Sequence, residues 1–416
     1  MDLSATESVR RLFGEVSARP PSSEDPSIDG MHPSLVLEPE DDEGCVRALA
    51  LCHEEDLAVV PVGGGTRLPL GNPPSRLDVY LSTRALAGVH DHVEGDLTAV
   101  VGAGTTVVDL QRALAPAGQF LPVDPPHPSR ATIGGVFALG EPGIRRRPFA
   151  RPRDLLLGFE AVLADGTKVK SGGRVVKNVS GYELSKLFVG SSGTLAVMTR
   201  AYLRLRALPE EVSAVAAVFR SATEAGEAAH RLSLLPLPPE ATALANPKLS
   251  RELGYEEEWM LFLRLEGFRE EVSAAIEGAR ALLPRGAEAI APSVWETLRD
   301  FPLTPSGENE LFLRGQVSPA RTTELAEGWR DGGPLLAYPD SGLVLSRTED
   351  GDALPDREER ARLSGGNVVI ECGPAALKAE RDVFGEIPDG FGLMKRIKEK
   401  LDPKGILSPG RFVGRL

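Results

Sequence analysis

Cysteine is nearly absent, with Cys45, Cys52 and Cys372 the only three in 416 residues. They are too few and too scattered for a disulfide framework, and they cannot by themselves supply the thiolates an iron–sulfur cluster takes. No run of about 18 apolar residues occurs, so there is no candidate membrane-spanning helix. The N-terminus MDLSATESVRRLFGEVSARP lacks the apolar stretch of a secretion signal. Positive charge is in deficit, and a net charge of −13 argues against nucleic acid or an anionic membrane surface as general partners. These absences lead us to expect a soluble, cytoplasmic protein. Two nucleotide signatures are missing as well. No G-x-x-x-x-G-K-[ST] string exists, which disfavours a P-loop NTPase. Gly63-Gly64-Gly65-Thr66-Arg67-Leu68 and Gly102-Ala103-Gly104-Thr105-Thr106-Val107 each lack the third glycine of G-x-G-x-x-G, so NAD bound in the Rossmann manner is not expected.

What is present is a long chain of ordinary hydrophobic content, 42%, sized for two domains or one large domain with an insertion. Residues 1–29 read as an arm, with one short amphipathic helix and then a Pro/Ser/Asp-rich stretch. From there SLVLEP, LAVVPV, RLDVYLS and LTAVVGAG read as strands, and DDEGCVRALALCHEE and TVVDLQRALAPAG as helices. LGFEAVLADGTKVKSGG reads as a hairpin turning at Asp165-Gly166. The character changes near Pro209. Two successive β-α-β-type cycles follow, SAVAAVF to REEVSAAIEGARALL and ELFLRGQV to NVVIECG, which resemble ferredoxin-like halves of one antiparallel sheet. The predicted division is 1–29 arm, 30–208 cofactor domain, 209–385 cap domain and 386–416 a C-terminal segment returning to the cofactor domain.

Two glycine sites stand out. PVGGGTR, with Val62 to Arg67, follows an apolar strand, and ATIGG places Gly134-Gly135 just after Thr132. Side-chain-free residues let backbone N–H groups converge on an anion. Two such loops in one domain suit a diphosphate gripped from both sides. Neither loop holds a lysine, so neutralisation falls to amide dipoles and Arg67.

The segments PVGGGTRLPLG, VGAGTTVVDLQRAL, LPVDPP, ATIGG, RDLLLGFEAVLADGTKVKSGG, VKNVSGYELSKLFVGSSGTLAVMT and LDPKGILSPGRF follow one another in an order that resembles the FAD-linked oxidases of the vanillyl-alcohol oxidase type. Within that family, RRPFARPRDLLLG and GGRVVKNVSGYELSKLFVGSSG resemble the E-type FAD-binding component of bacterial glycolate oxidase complexes. The likeness is dense over residues 33–208 and returns at 392–416. It implies an α+β fold, with a two-subdomain, PCMH-type FAD-binding domain and a ferredoxin-like antiparallel-sheet cap domain. It further implies that Val62, Gly63, Gly64, Gly65, Thr66 and Arg67 cradle the FAD pyrophosphate, with Thr132, Gly134 and Gly135 closing from the other side. Pro125, in the segment Pro122–Pro126, would line the path to the isoalloxazine ring. Gly193 and Val197, in Gly190–Thr199, would meet the adenine and ribose, with Asp154 and Arg153 as buttress. Many relatives bond a histidine near the first glycine loop to the flavin. Here no histidine occurs between His53 and His90, which implies non-covalent FAD. The SPGRF tail, Ser408–Phe412, would pack on the flavin domain. No metal site is assigned.

All six histidines lie within the first 230 residues. Oxidising a C–H beside an O–H needs a base near neutral pH, and relatives acting on 2-hydroxy acids place a histidine late in the chain. The corresponding stretch here, GGNVVIECGPAALKAERD, has none. Glu371 and His127 are the remaining candidates, against the plainer readings of a salt-bridged glutamate and a loop histidine. A substrate carboxylate calls for an arginine, and the run Arg145-Arg146-Arg147 offers one, against the plainer readings of a solvated basic loop or, the one favoured, a contact to an acidic partner. The resemblance supplies such partners, a catalytic flavoprotein subunit and an iron–sulfur subunit, through which the chain would sit at the periphery of the inner membrane. The expectation is an FAD-binding, electron-relaying subunit of a complex oxidising glycolate or a short 2-hydroxy acid. A self-sufficient FAD-dependent 2-hydroxy acid dehydrogenase predicts flavin bleaching by the chain alone. A structural subunit with an empty flavin site predicts a colourless protein.

Overall fold

A computed structural model describes residues 18–141, 143–145, 151–173, 184–284, 286–301 and 310–416. The helix expected in the N-terminal arm, Arg146, Arg147 and most of VKNVSGYELSKLF lie outside them. The described residues fall in two compact units, one within Met1–Pro142, Ala150–Ala207 and Lys378–Leu416, the other within Gly143–Phe149 and Leu208–Leu377. Among the described residues no helix is long and apolar enough to cross a membrane.

The first unit holds two larger sheets. In one, β1 (Ala18–Arg19), β2 (Leu35–Leu37), β3 (Val59–Val62) and β4 (Val79–Ser82) lie in the order β1-β2-β4-β3, with β2 and β3 parallel to β4. The strands are apolar on both faces because both are covered. Leu35, Leu37, Val59, Val79 and Leu81 feed one core, while Val36, Val60, Val62 and Tyr80 feed another. Helix α1 (Asp42–Glu54) covers the first of these. Asp41 caps it, its carboxylate accepting from the Gly44 amide at 2.7 Å. Its Cys45, Ala48, Leu49 and Cys52 recur at helical spacing and are buried. The second sheet is antiparallel, in the order β5-β6-β10-β8-β9, with β5 (Val89–Val93), β6 (Thr98–Gly102), β8 (Leu156–Val162), β9 (Lys168–Gly172) and β10 (Val197–Arg204). The predicted Asp165-Gly166 turn closes β8 onto β9, with Gly166 at φ +86° and Asp165 accepting from the Thr167 amide at 2.9 Å. Helices α2 (Val107–Leu114) and α3 (Ile133–Leu139) pack their apolar faces beneath this sheet. A two-residue pair, β7 (Gln119–Phe120) with β11 (Arg206–Ala207), completes it.

The second unit is one antiparallel sheet of eight strands: β12 (Glu211–Phe219), β13 (Ala241–Ala245), β14 (Trp259–Gly267), β15 (Glu288–Ile290), β16 (Leu311–Gln316), β17 (Leu335–Tyr338), β18 (Leu343–Thr348) and β19 (Asn367–Cys372). The order β15-β12-β14-β13-β17-β18-β16-β19 is two ferredoxin-like halves, joined edge to edge through the second strand of each. Each half carries two main helices: α4 (Ala222–Ser233) and α5 (Arg269–Leu282) in the first, α6 (Thr322–Gly328) and α7 (Leu354–Leu363) in the second. The doubled architecture expected from the alternation of elements is therefore present.

The C-terminal segment belongs to the first unit. After α8 (Phe391–Leu401), the chain runs beside β3, where the Val59 amide donates to Ile406 and the Ser408 amide to Val59, both at 2.8 Å.

Candidate cofactor site

Strand β3 delivers the chain at Val62 into Gly63-Gly64-Gly65. A Cβ on Gly63 would overlap Thr132 Oγ1, and one on Gly64 would overlap the Arg130 carbonyl, both far inside the 3.0 Å that real Cβ atoms keep. Both obstacles belong to the segment just before Gly134-Gly135. The two glycine loops therefore touch, and part of their need for glycine is this mutual approach. Gly65 differs: its Cβ would meet nothing nearer than 3.6 Å, and its φ of +70° is what calls for glycine.

The carbonyls of this loop are held. Arg84 Nε donates to the Gly63 oxygen at 3.0 Å and Arg130 Nη2 to the Gly64 oxygen at 3.2 Å. No peptide bond here is cis, and a trans peptide points its N–H opposite its C=O. The amides of Gly64 and Gly65 thus face away from the two arginines. Among the described residues those amides and that of Thr66 find no acceptor, although Gly64 is buried. A buried, unused amide beside others of the same kind is the signature of an anion nest.

The second loop is used differently. Thr132 caps α3, its hydroxyl accepting from the Gly135 amide at 3.4 Å. The Gly134 amide donates to Ala103 at 2.8 Å, and its Cβ would stand 3.0 Å from that of Ala103. Gly134 therefore serves the packing of α3 on the loop 102–106. Gly135 has no neighbour within 4 Å of its Cβ position except Thr132 Oγ1 at 3.3 Å. Arg67 reaches Glu141 at 2.9 Å, so the guanidinium expected to neutralise phosphate already meets a carboxylate. Pro125 is buried in the preceding loop. His127 sits there at φ +49°, a left-handed conformation rare outside glycine, with its carbonyl accepting from the Arg130 and Ala131 amides at 2.9 and 2.8 Å. Its backbone shapes the turn into the second loop.

The loop carrying Gly193 rests on α3. Gly190 and Ser192 donate their amides to Phe137 and Ala138, and Ser192 and Gly193 both take positive φ. Lys398 secures it from the C-terminal segment. The buried ammonium donates to Thr194 O and Leu407 O at 2.7 Å and to Asp402 Oδ2 at 2.6 Å, and burial pulls its pKa below the ordinary lysine value. The Val197 side chain lies in the core shared by β2, β3 and α1. Asp154 is exposed on a four-residue helix, 3.9 Å from its neighbour Arg153. Of the candidates, Val62 through Thr66, Thr132 and Gly135 thus gather where the two loops meet, Gly193 joins them through α3, and Asp154 remains at the surface.

Sequence reasoning missed the cations that hold loop carbonyls. Lys378, 1% exposed, donates to Asp29 Oδ1 and Oδ2 at 2.7 and 2.8 Å and to Pro69 O at 2.8 Å. Arg411 Nη2 donates to Leu68 O at 2.8 Å and to Leu70 O, and Nη1 to Asn72 O at 3.3 Å. Burial lowers the Arg411 pKa to about 10, with Asp29 opposing. The tail SPGRF does meet the first unit, and Arg411 is the residue that fastens it.

Two further residues from the sequence analysis belong to the second unit. Arg145 is not a surface cation awaiting a partner: it is buried against Glu266, which also accepts from Arg264 at 2.9 Å, because Ile144 beside it belongs to the second unit's core. Glu371, 3% exposed, is ion-paired to Arg314 at 2.7 Å, the salt-bridged reading of that residue.

The fold and the cradle define a flavoprotein oxidase architecture. An FAD binding domain model matches residues 33–172, and a model for the C-terminal domain of FAD linked oxidases matches 385–412. The chain is 30% identical to D-lactate dehydrogenase of Archaeoglobus fulgidus, covering 92% of each chain. It is 31% identical to glycolate oxidase subunit GlcE of Escherichia coli, covering 85% of this chain and 92% of that one. It is 26% identical to subunit GlcD of Bacillus subtilis, over 92% and 89%. Among solved structures, 4-ethylphenol oxidase from Gulosibacter chungangensis superposes with a TM-score of 0.72 at 17% identity, over 98% of this chain and 96% of that one. p-Cresol methylhydroxylase gives 0.71 at 15% identity, again over 98% and 96%. The chain belongs to the FAD-linked oxidases, with the PCMH-type fold, and FAD is its cofactor. The cradle fits that group: the amides of Gly64, Gly65 and Thr66 have no other acceptor among the described residues.

Proposed function

We propose that this oxidoreductase is the FAD-binding subunit of a glycolate oxidase-type complex. It would work in oxidation of glycolate or a short 2-hydroxy acid to the 2-oxo acid, beside a catalytic flavoprotein subunit and an iron–sulfur subunit in the cytoplasm. Similarity to GlcE and GlcD supports the complex, and similarity to both of these and to D-lactate dehydrogenase supports the substrate class. The observation that carries the relay role is the absence of a late-chain base. No histidine follows His230, and Glu371 is already committed to Arg314. Bound FAD supplies the acceptor for the hydride equivalent that leaves the carbinol carbon. The protein's own part is to hold FAD through the amides of residues 64–66 and the turn at Gly135, without a covalent histidine bond. Proton removal from the substrate hydroxyl needs a group at neutral pH, which the partner supplies.

Similarity over 92% of a D-lactate dehydrogenase supports a second reading, in which this chain oxidises the 2-hydroxy acid alone. An anaerobic absorbance spectrum of the isolated chain, before and after glycolate or D-lactate, separates the two. Flavin that stays oxidised until the partner subunits are added is the expected result. Bleaching within seconds would overturn the relay role, and a colourless protein that takes up no added FAD would overturn the cradle.

A further inference from the structure

Three glycines in a row have more backbone freedom than any other tripeptide. Nothing about glycine itself decides which way a peptide plane in such a loop turns, yet an anion nest needs its amides all on one side. In this loop two successive peptide planes are held by long side chains from elsewhere. Arg84 lies just past β4 and Arg130 just before the second glycine loop, and they take the carbonyls of Gly63 and Gly64 at 3.0 and 3.2 Å. Both are exposed, and among the described residues neither has a carboxylate partner. Arg67 in the same loop, by contrast, is paired with Glu141. Two cations without counter-ions among the described residues therefore remain beside this loop in a chain of net charge −13.

We infer that Arg84 and Arg130 are positioning residues for the diphosphate of FAD. By holding the Gly63 and Gly64 carbonyls they fix the two peptide planes, and with them the directions in which the Gly64 and Gly65 amides meet the anion. They act through the peptide rather than by touching phosphate, since each guanidinium lies on the carbonyl side of its plane. Their charge also polarises the two peptides, strengthening the amides as donors. The inference rests on assigning residues 63–66 to the FAD diphosphate, and the test keeps the two apart.

FAD is titrated into flavin-free protein by fluorescence quenching, and the phosphorus resonances and visible absorbance of the bound cofactor are recorded. Arg84→Met and Arg130→Met are each expected to weaken FAD binding about three- to tenfold, the usual net worth of one solvent-exposed hydrogen bond. The phosphorus resonances should shift, while the visible band and the melting temperature of the flavin-free protein stay in place. Arg130→Lys, which keeps a donor and a charge, should recover part of the affinity. An unchanged affinity in the double Met variant overturns the inference but leaves the diphosphate assignment standing. Bound FAD whose phosphorus resonances match free FAD in the wild-type protein overturns the assignment itself. A fall in melting temperature that parallels the loss of affinity, with no rescue by lysine, reduces the arginines to fold supports and also overturns the inference.

Discussion

Replacing Gly64 by alanine is the sharpest test of how the two glycine loops meet. The new methyl would lie 2.5 Å from the Arg130 carbonyl carbon and 3.3 Å from the Ala131 amide nitrogen, with the carbonyl oxygen nearer still. The obstacle is main chain, so no rotamer change relieves it, and that main chain is itself fixed by the Ala131 amide bonded to His127 O at 2.8 Å. Overpacking of this sort costs typically 1–3 kcal/mol, and a rigid obstacle puts Gly64→Ala at about 3 kcal/mol. For a unit of this size each kcal/mol moves the melting temperature by roughly 2–4 °C, which gives a drop of about 6–12 °C. Gly65→Ala meets open space and is charged only for its φ of +70°, about 1 kcal/mol. Gly63→Ala strikes a side chain, Thr132 Oγ1, so adding Thr132→Ala should give back much of the loss. Thermal unfolding of flavin-free protein, followed by circular dichroism, reads all of these. A Gly64→Ala protein melting within about 2 °C of the parent, or strict additivity of Gly63→Ala and Thr132→Ala, would refute the contact between the loops. FAD affinity should fall with Gly64→Ala as well, because the nest and the contact are one piece of backbone.

Lys398→Met removes the cation that holds the Asp402 carboxylate and strands Thr194 O and Leu407 O. Breaking such a buried pair costs about 3–5 kcal/mol, to be read as a lower urea midpoint; a midpoint shift worth under about 1 kcal/mol would refute it. The thiols of Cys45 and Cys52 are pushed up to about 12 by burial, from 9.0. Between those values the folded chain binds more protons than the unfolded one, so stability falls as pH rises above 9.0. The Cys45→Ala/Cys52→Ala protein should lose part of that slope, and in the native parent the half-buried Cys372 should react with a thiol reagent well before the other two.

Local periodicity made most of the framework legible. The apolar runs in Glu211–Phe219 and Trp259–Gly267, the capped helix at Asp42–Glu54 and the Asp165-Gly166 turn are each written in a few adjacent residues. Even the pairing of two ferredoxin-like halves could be expected from the repeat of elements. The two glycine loops were legible as a pair, since only backbone demands call for such runs. Which demand each glycine meets was not. Gly63 and Gly64 face the other loop, Gly134 spends its amide on Ala103, and Gly65 answers to a dihedral angle. Three adjacent arginines looked like surface, but Arg145 is buried because Glu266 waits 121 positions further on. Asp29 and Lys378 are 349 apart. Burial of a charge depends on partners at such separations, and no local pattern announces them.

The cations that hold main-chain carbonyls in the first unit share one chemistry. A loop built from glycine and proline, such as 63–74, has few side chains with which to pack itself into place. Leu68 packs into a buried cluster and the Asn72 side chain donates to Phe412 O and accepts from the Val383 amide, and the carbonyls are held as well: by Arg84 and Arg130 at 63 and 64, by Arg411 at 68, 70 and 72, and by Lys378 at 69. Cations suit this task because they donate several hydrogen bonds without asking for any in return. Each carbonyl drawn outward turns the next amide the other way. On the proposed assignment of residues 63–66 to the diphosphate, such a loop is held by charges behind it, and the stretch Lys378–Leu416, which brings Lys378, Lys398 and Arg411, would support the site from a distance.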